Sequence, residues 1–158
     1  RKALDEAVVE EVATVTALVA ATVNAAAAAY AGWRWWRVDP DRPSWLLLRA
    51  GQAAVLVLAL GAAAAWLGGS RPEGGLFWVY AFVPLGVSFF AEQFRALAAQ
   101  TVLDARELPD AQAVGRLPEA AQRSIVLQIA RRELGVVALA AGVNAFLALR
   151  AVTEASGL

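Results

Sequence analysis

Glu92 and Arg95 stand three residues apart in FFAEQFRAL, residues 89–97, at the end of a long apolar run. At that spacing a carboxylate and a guanidinium share one face of a helix, where they can pair with each other or reach a neighbouring helix. In hydrocarbon an unpaired carboxylate is costly or takes up a proton, so partners are expected. Arg49 and Gln52 lie about one turn inside the second apolar run, and Arg132 and Glu133 open the fourth. All six are read at a similar membrane depth, near one boundary. The expectation is an interhelical polar cluster of Arg49, Gln52, Glu92, Arg95, Arg132 and Glu133, with Arg49 and Arg95 facing Glu92 and Glu133. Two chemistries compete for it. Charges near a membrane edge usually snorkel and cap helices. Ionisable groups inside a membrane are also functional candidates, which would give Glu92 a place in a proton path or a polar headgroup site.

The other polar residues within apolar runs are fewer. Asn24 and Asn144, the only asparagines, sit near the middle of the first and fourth runs. An amide there favours a hydrogen bond to a neighbouring helix. Pro84 removes an amide donor in mid-helix and frees the carbonyl of Tyr80, which predicts a kink beside Gly86 and Ser88. Gly61 with Ala65, and Gly135 with Ala138 and Gly142, carry the small-residue spacing of close helix contacts. There is no Cys, no Met and no His. Thiolate chemistry, disulfides, the usual haem ligands and the commonest general base are therefore missing from the sequence. No phosphate-binding loop, nucleophile elbow or carboxylate pair at ligand spacing occurs, and the expectation is a non-enzyme without metal or cofactor.

The elements that would position these residues follow from composition. Of the 158 residues, 59% are hydrophobic and 18% charged, above the apolar content of ordinary soluble domains. Four apolar runs are long enough for helices that cross about 30 Å of hydrocarbon. They cover about 12–33, 45–67, 76–92 and 134–152. Pro40 and Pro43 break the first from the second, with Ser44 as the expected N-cap. The segment 93–133 reads as helix continuing to about Leu108, a stop at Pro109, and a new helix starting at Pro118 and Glu119. The fold class predicted is all-α: a polytopic membrane protein, one domain over 1–158, with a helical hairpin between spans three and four.

Charge sets the expected orientation. Arg34, Arg37, Arg42, Arg49, Arg95, Arg106, Arg116, Arg123, Arg131 and Arg132 fall on one side, against Arg1, Lys2, Arg71 and Arg150 on the other. The positive-inside rule puts the hairpin in the cytoplasm and both termini outside. Trp33, Trp35, Trp36 and Trp45 would form the cytoplasmic aromatic belt, with Trp66 and Trp78 at the opposite interface. The 14 basic and 14 acidic residues balance, so nucleic acid is not an expected partner. Thirteen of the basic residues are Arg, and Ala, Val, Leu and Gly dominate, as a GC-rich bacterial source would give. The chain opens on Arg1 and carries no cleavable signal pattern at its start.

The stretch at 91–135, with WVYAFVPLGVSFF before it, resembles small four-helix integral membrane proteins of GC-rich, actinobacterial-type bacteria, a family without an assigned activity. Glu92, Gln93, Arg95, Arg116, Pro118, Glu119, Arg132 and Glu133 carry the resemblance. The resemblance implies a His early in span three, where this chain has Leu76, Phe77 and Trp78. Two functions remain in view. One is a non-catalytic accessory or structural subunit of a larger bacterial plasma-membrane complex, of the energy-transducing kind, with lipid and other membrane subunits as partners. The alternative is a small transporter, channel or lipid- or quinone-binding protein working through Glu92 and the Pro84 kink.

Overall fold

The computed structural model describes residues 2–69 and 75–156, with side chains from residue 7 onward. Arg1, Arg71 and the Lys2 side chain, part of the charge count above, lie outside the described residues, as does most of the turn between spans two and three. The described residues form five helices and no strand: α1 Lys2–Trp36, α2 Arg42–Leu67, α3 Phe77–Ala105, α4 Ala111–Gly115 and α5 Glu119–Ala155. Four are long and apolar enough to cross a membrane: α1 from Ala7, α2, α3 and α5.

Local chemistry explains the helix ends. α2 starts at Arg42, and its N-cap is Asp41 rather than the expected Ser44. Pro43 is already shaped for a first helical turn and needs no amide partner, so the cap must come before it. The Asp41 carboxylate then accepts from the Ser44 amide at 3.0 Å and from the Ser44 hydroxyl. At the end of α1 the Asp39 amide reaches back to the Arg34 carbonyl at 3.1 Å. That closure puts Val38 at φ 54°, a left-handed conformation that β-branched residues seldom adopt. α3 runs unbroken past Pro84 and Arg95 and stops at Ala105, three residues short of the expected Leu108. There Glu107 takes φ 56° and the Leu108 amide returns to the Leu103 carbonyl at 3.0 Å. A Schellman-type turn thus ends the helix before Pro109 disfavours it. α4, a single turn capped by Asp110, was not foreseen in the sequence.

Around the ring α1–α2–α3–α5 each long helix runs antiparallel to the next, and α2 and α5, which touch more lightly across it, run parallel. Gly142 of α5 faces Ala28 of α1, and Gly135 faces Trp35. Ser88 of α3 bonds Asn144 of α5, and Arg106 bonds Gln128. Asn24 of α1 bonds Gly51 of α2, and Tyr30 bonds Asp41. The ring closes between α2 and α3, where Trp66 meets Trp78 at 6.4 Å between ring centroids. α5 packs most extensively, against α1 and α3, and the α2–α3 seam is the thinnest of the four.

The core is built mainly from alanine. Ala17, Ala20, Ala27, Ala31, Ala81, Ala148 and Ala151 are fully buried, with Val55, Leu58, Phe77 and Leu134 among the few larger side chains inside. Leu60, Phe89, Phe90, Leu139 and Phe146 point outward and stay largely exposed. Water would oppose that arrangement, because it leaves the most apolar surface outside. Lipid does not, and small residues at helix interfaces let backbones approach closely. The spacing at Gly61 was expected to mark such an approach, but a side chain there would meet nothing within 4 Å. Gly142 makes ordinary contact with Ala28, and Gly135 instead makes room for the Trp35 indole.

Candidate functional site: a polar cluster on the α2–α3 seam

On α2, Arg49 and Gln52 are three residues apart and share a face, as do Glu92 and Arg95 on α3. The two faces meet across the thin seam. Glu92 Oε1 accepts from Arg49 Nη1 at 2.7 Å and from Gln52 Nε2 at 2.8 Å. Its Oε2 accepts from Arg95 Nε at 2.8 Å and from Arg49 Nη2 at 3.4 Å. Arg49 Nη1 also donates to Gln52 Oε1 at 2.6 Å, which fixes the amide orientation. The Arg95 guanidinium lies 5.9 Å from the Trp45 ring centroid, within cation–π range. With one carboxylate between two guanidinium groups, the cluster carries one surplus positive charge. The Arg49 side chain is 53% exposed against 26% for Glu92, so the surplus faces outward from the seam.

Arg132 and Glu133 do not join this cluster. Among the described residues neither makes an ion pair or a side-chain hydrogen bond, and Arg132 lines a groove between α1, α3 and α5. The reason is register. Ser88 lies across from Asn144, and Arg106 from Gln128, so Glu92 lies across from about residue 140 of α5. Arg132 is eight residues, about 12 Å, further along the helix. The similar depth read from the sequence assumed that α3 and α5 enter the apolar layer at matching positions, and they are offset. On α2, Gln52 lies seven residues, about 10 Å of helix, beyond Trp45. Gln93 is exposed and takes no part.

The two asparagines occupy the interior. Asn24 is 1% exposed; its Nδ2 donates to the Ala20 carbonyl at 2.9 Å and, from α1 to α2, to the Gly51 carbonyl at 3.0 Å. Gly51 is required for that approach, since a Cβ there would stand 2.7 Å from Asn24 Oδ1. Asn144 is 2% exposed and donates to Ser88 Oγ at 2.9 Å, but its Oδ1 has no hydrogen-bond partner.

A third polar group was missed in the sequence. Asp41 gathers the end of α1 onto the start of α2, accepting from Tyr30 Oη at 2.7 Å and lying 3.2 Å from Arg34 Nε. Arg34 also pairs with Asp39 at 2.8 Å. The Ser44 hydroxyl, with the Tyr30 hydroxyl, the Ser44 amide and Arg34 adding to it, holds the Asp41 carboxyl below its ordinary range against the opposing effect of desolvation. The readable signal was Asp41 three residues before Ser44 with Pro43 between them, an N-cap pattern passed over in favour of Ser44 itself.

Among the described residues no three of Asp, Glu, His or Cys gather as a metal-binding set. Compared with known proteins, the chain matches no family model, no curated protein and no solved structure. The fold and the placement of its apolar surface define the class: an all-helical, multi-pass membrane bundle.

Proposed function

We propose that the protein is a non-catalytic accessory or structural subunit of a larger bacterial membrane complex. One observation carries the reading: the bundle spends its small residues inside and offers its large apolar side chains outward, along with an outward-facing surplus charge at Arg49. The apolar part of that surface suits lipid and other membrane helices, and the cation suits an acidic group on a partner, whereas the other polar groups serve the bundle's own seams. Glu92 is held from both oxygens by three side chains, which supports a structural tie over a proton carrier. In this reading the turn of chain between α3 and α5 projects into the cytoplasm as a helical hairpin, and the start of α1 and the end of α5 lie outside. The excess of Arg on the hairpin side supports that orientation.

Purification from native membranes in a mild detergent tests the proposal. A subunit should co-purify with other membrane proteins at fixed stoichiometry. A chain recovered only as a stable, lone species would sink it.

A further inference from the structure

The groove between α1, α3 and α5 plays no part in the subunit reading, and its construction is specific. It encloses about 820 Å³. Its walls are stretches of the three helices, from Ala28 to Trp35, from Phe94 to Thr101 and from Arg132 to Leu139. Each stretch covers seven residue steps, about 10 Å of helix. Because α5 runs antiparallel to both neighbours, Trp35, Thr101 and Arg132 stand together at one end, and Ala28, Phe94 and Leu139 at the other.

That arrangement grades the groove by polarity along the helix axes. At its head the Arg131 guanidinium lies 5.0 Å from the Trp35 ring centroid, and Arg132 lines the wall. Neither forms an ion pair among the described residues, and Glu133 does not line the groove. Trp35 reaches this position because residue 135 is glycine: a Cβ there would meet the indole nitrogen at 2.7 Å. The other end is apolar and largely open, with Phe94 59% and Leu139 72% exposed. At Gly32 a side chain would meet nothing within 4 Å.

We propose that this groove binds one anionic phospholipid from the leaflet on the Arg132 side. The phosphate sits at Arg131 and Arg132, level with the Trp35 end of the aromatic belt, and an acyl chain lies along Gly32, Leu97 and Leu139. Charge complementarity selects the occupant. Basic pockets between helices at a membrane interface take anionic headgroups, and a cationic head above an apolar trough matches an amphiphile end to end. A second copy of the chain would have to bury two unpaired guanidinium groups in the same place.

The test is native mass spectrometry of the full chain in detergent, titrated with phosphatidylglycerol or phosphatidylcholine. The wild type should retain phosphatidylglycerol in preference. Arg132→Ala should reduce the preference about fivefold, and the double change Arg131→Ala, Arg132→Ala should remove it. Gly32→Leu, which fills open space in the groove, should reduce retention of both lipids while helical content and melting stay as in the wild type. Equal retention of the two lipids by the wild type would overturn the proposal. So would an unchanged preference in the double variant. A Gly32→Leu variant that shifts the oligomeric state and leaves lipid retention intact would also overturn it, marking the groove as a contact between copies.

Discussion

The α1–α5 seam and the α2–α3 seam join antiparallel helices of the same bundle with opposite materials. Along α1–α5 the contact is made by Ala17, Ala20, Ala27 and Ala31 facing Ala138, Ala141, Ala148 and Ala151. Along α2–α3 the helices touch sparsely, and long polar side chains bridge the gap through Arg49, Gln52 and Glu92. Within lipid no hydrophobic force drives helices together, so association depends on close packing or on hydrogen bonds between helices. Along α1–α5 small residues supply the first. Where the backbones stand further apart, side chains long enough to cross must carry the contact, and in hydrocarbon they must satisfy one another.

The comparison predicts a graded response to substitution, largest where packing is tightest. Ala148 is fully buried on the α1–α5 side, in a cluster with Ala17, Ala20 and Ala151. Ala148→Leu should force the seam apart and cost about 1–3 kcal/mol or more, by analogy with overpacked cores. Denaturation in mixed micelles would measure it, and a variant as stable as the wild type would mean that the seam is looser than its burial implies.

On the α2–α3 side the expected effect depends on what replaces the charge. Glu92→Leu leaves Arg49, Arg95 and Gln52 without their common acceptor and should cost about 1–3 kcal/mol, the usual penalty for orphaned polar groups. Glu92→Gln keeps an acceptor oxygen and should cost less. The ordering of the two variants is the sharper result. If Leu proved the better tolerated, the cluster would be an adornment of a seam held by something else.

The smallest effects belong to the buried amides, and their signs should differ. Asn24 makes two hydrogen bonds, one of them between helices, so Asn24→Val should destabilise by about 0.6 kcal/mol, the average for polar contacts between membrane helices. Asn144 makes one and leaves Oδ1 unpaired. Asn144→Val removes that unpaired group, and the Ser88 hydroxyl is free to turn back to its own helix. Stability should hold or rise, and a loss larger than that of Asn24→Val would show that Oδ1 has a partner in the membrane.

Much of this was legible in the amino-acid order alone. Four apolar runs of spanning length, broken by Pro40, Pro43 and Pro109, are enough to specify four long helices, because hydropathy and proline act within a single segment. The pairing of Glu92 with Arg95 could be read for the same reason, as two residues three apart on one helix. Contacts with Arg49 and Gln52 were also foreseen, since the cost of a lone carboxylate demanded partners and α2 offered them at the right depth.

What only the tertiary structure decided is register. Whether Arg132 stands beside Glu92 or about 12 Å away depends on how far α5 slides along α3, and nothing local to either helix encodes that offset. It is settled by where Gly135 admits the Trp35 indole and where Ser88 meets Asn144, contacts between residues 56 and 100 positions apart. The groove arises in the same way. Its cationic head comes from Trp35 near the end of α1 and from Arg131 and Arg132 of α5, which antiparallel packing brings together, and α3 adds the apolar wall from Phe94 to Thr101.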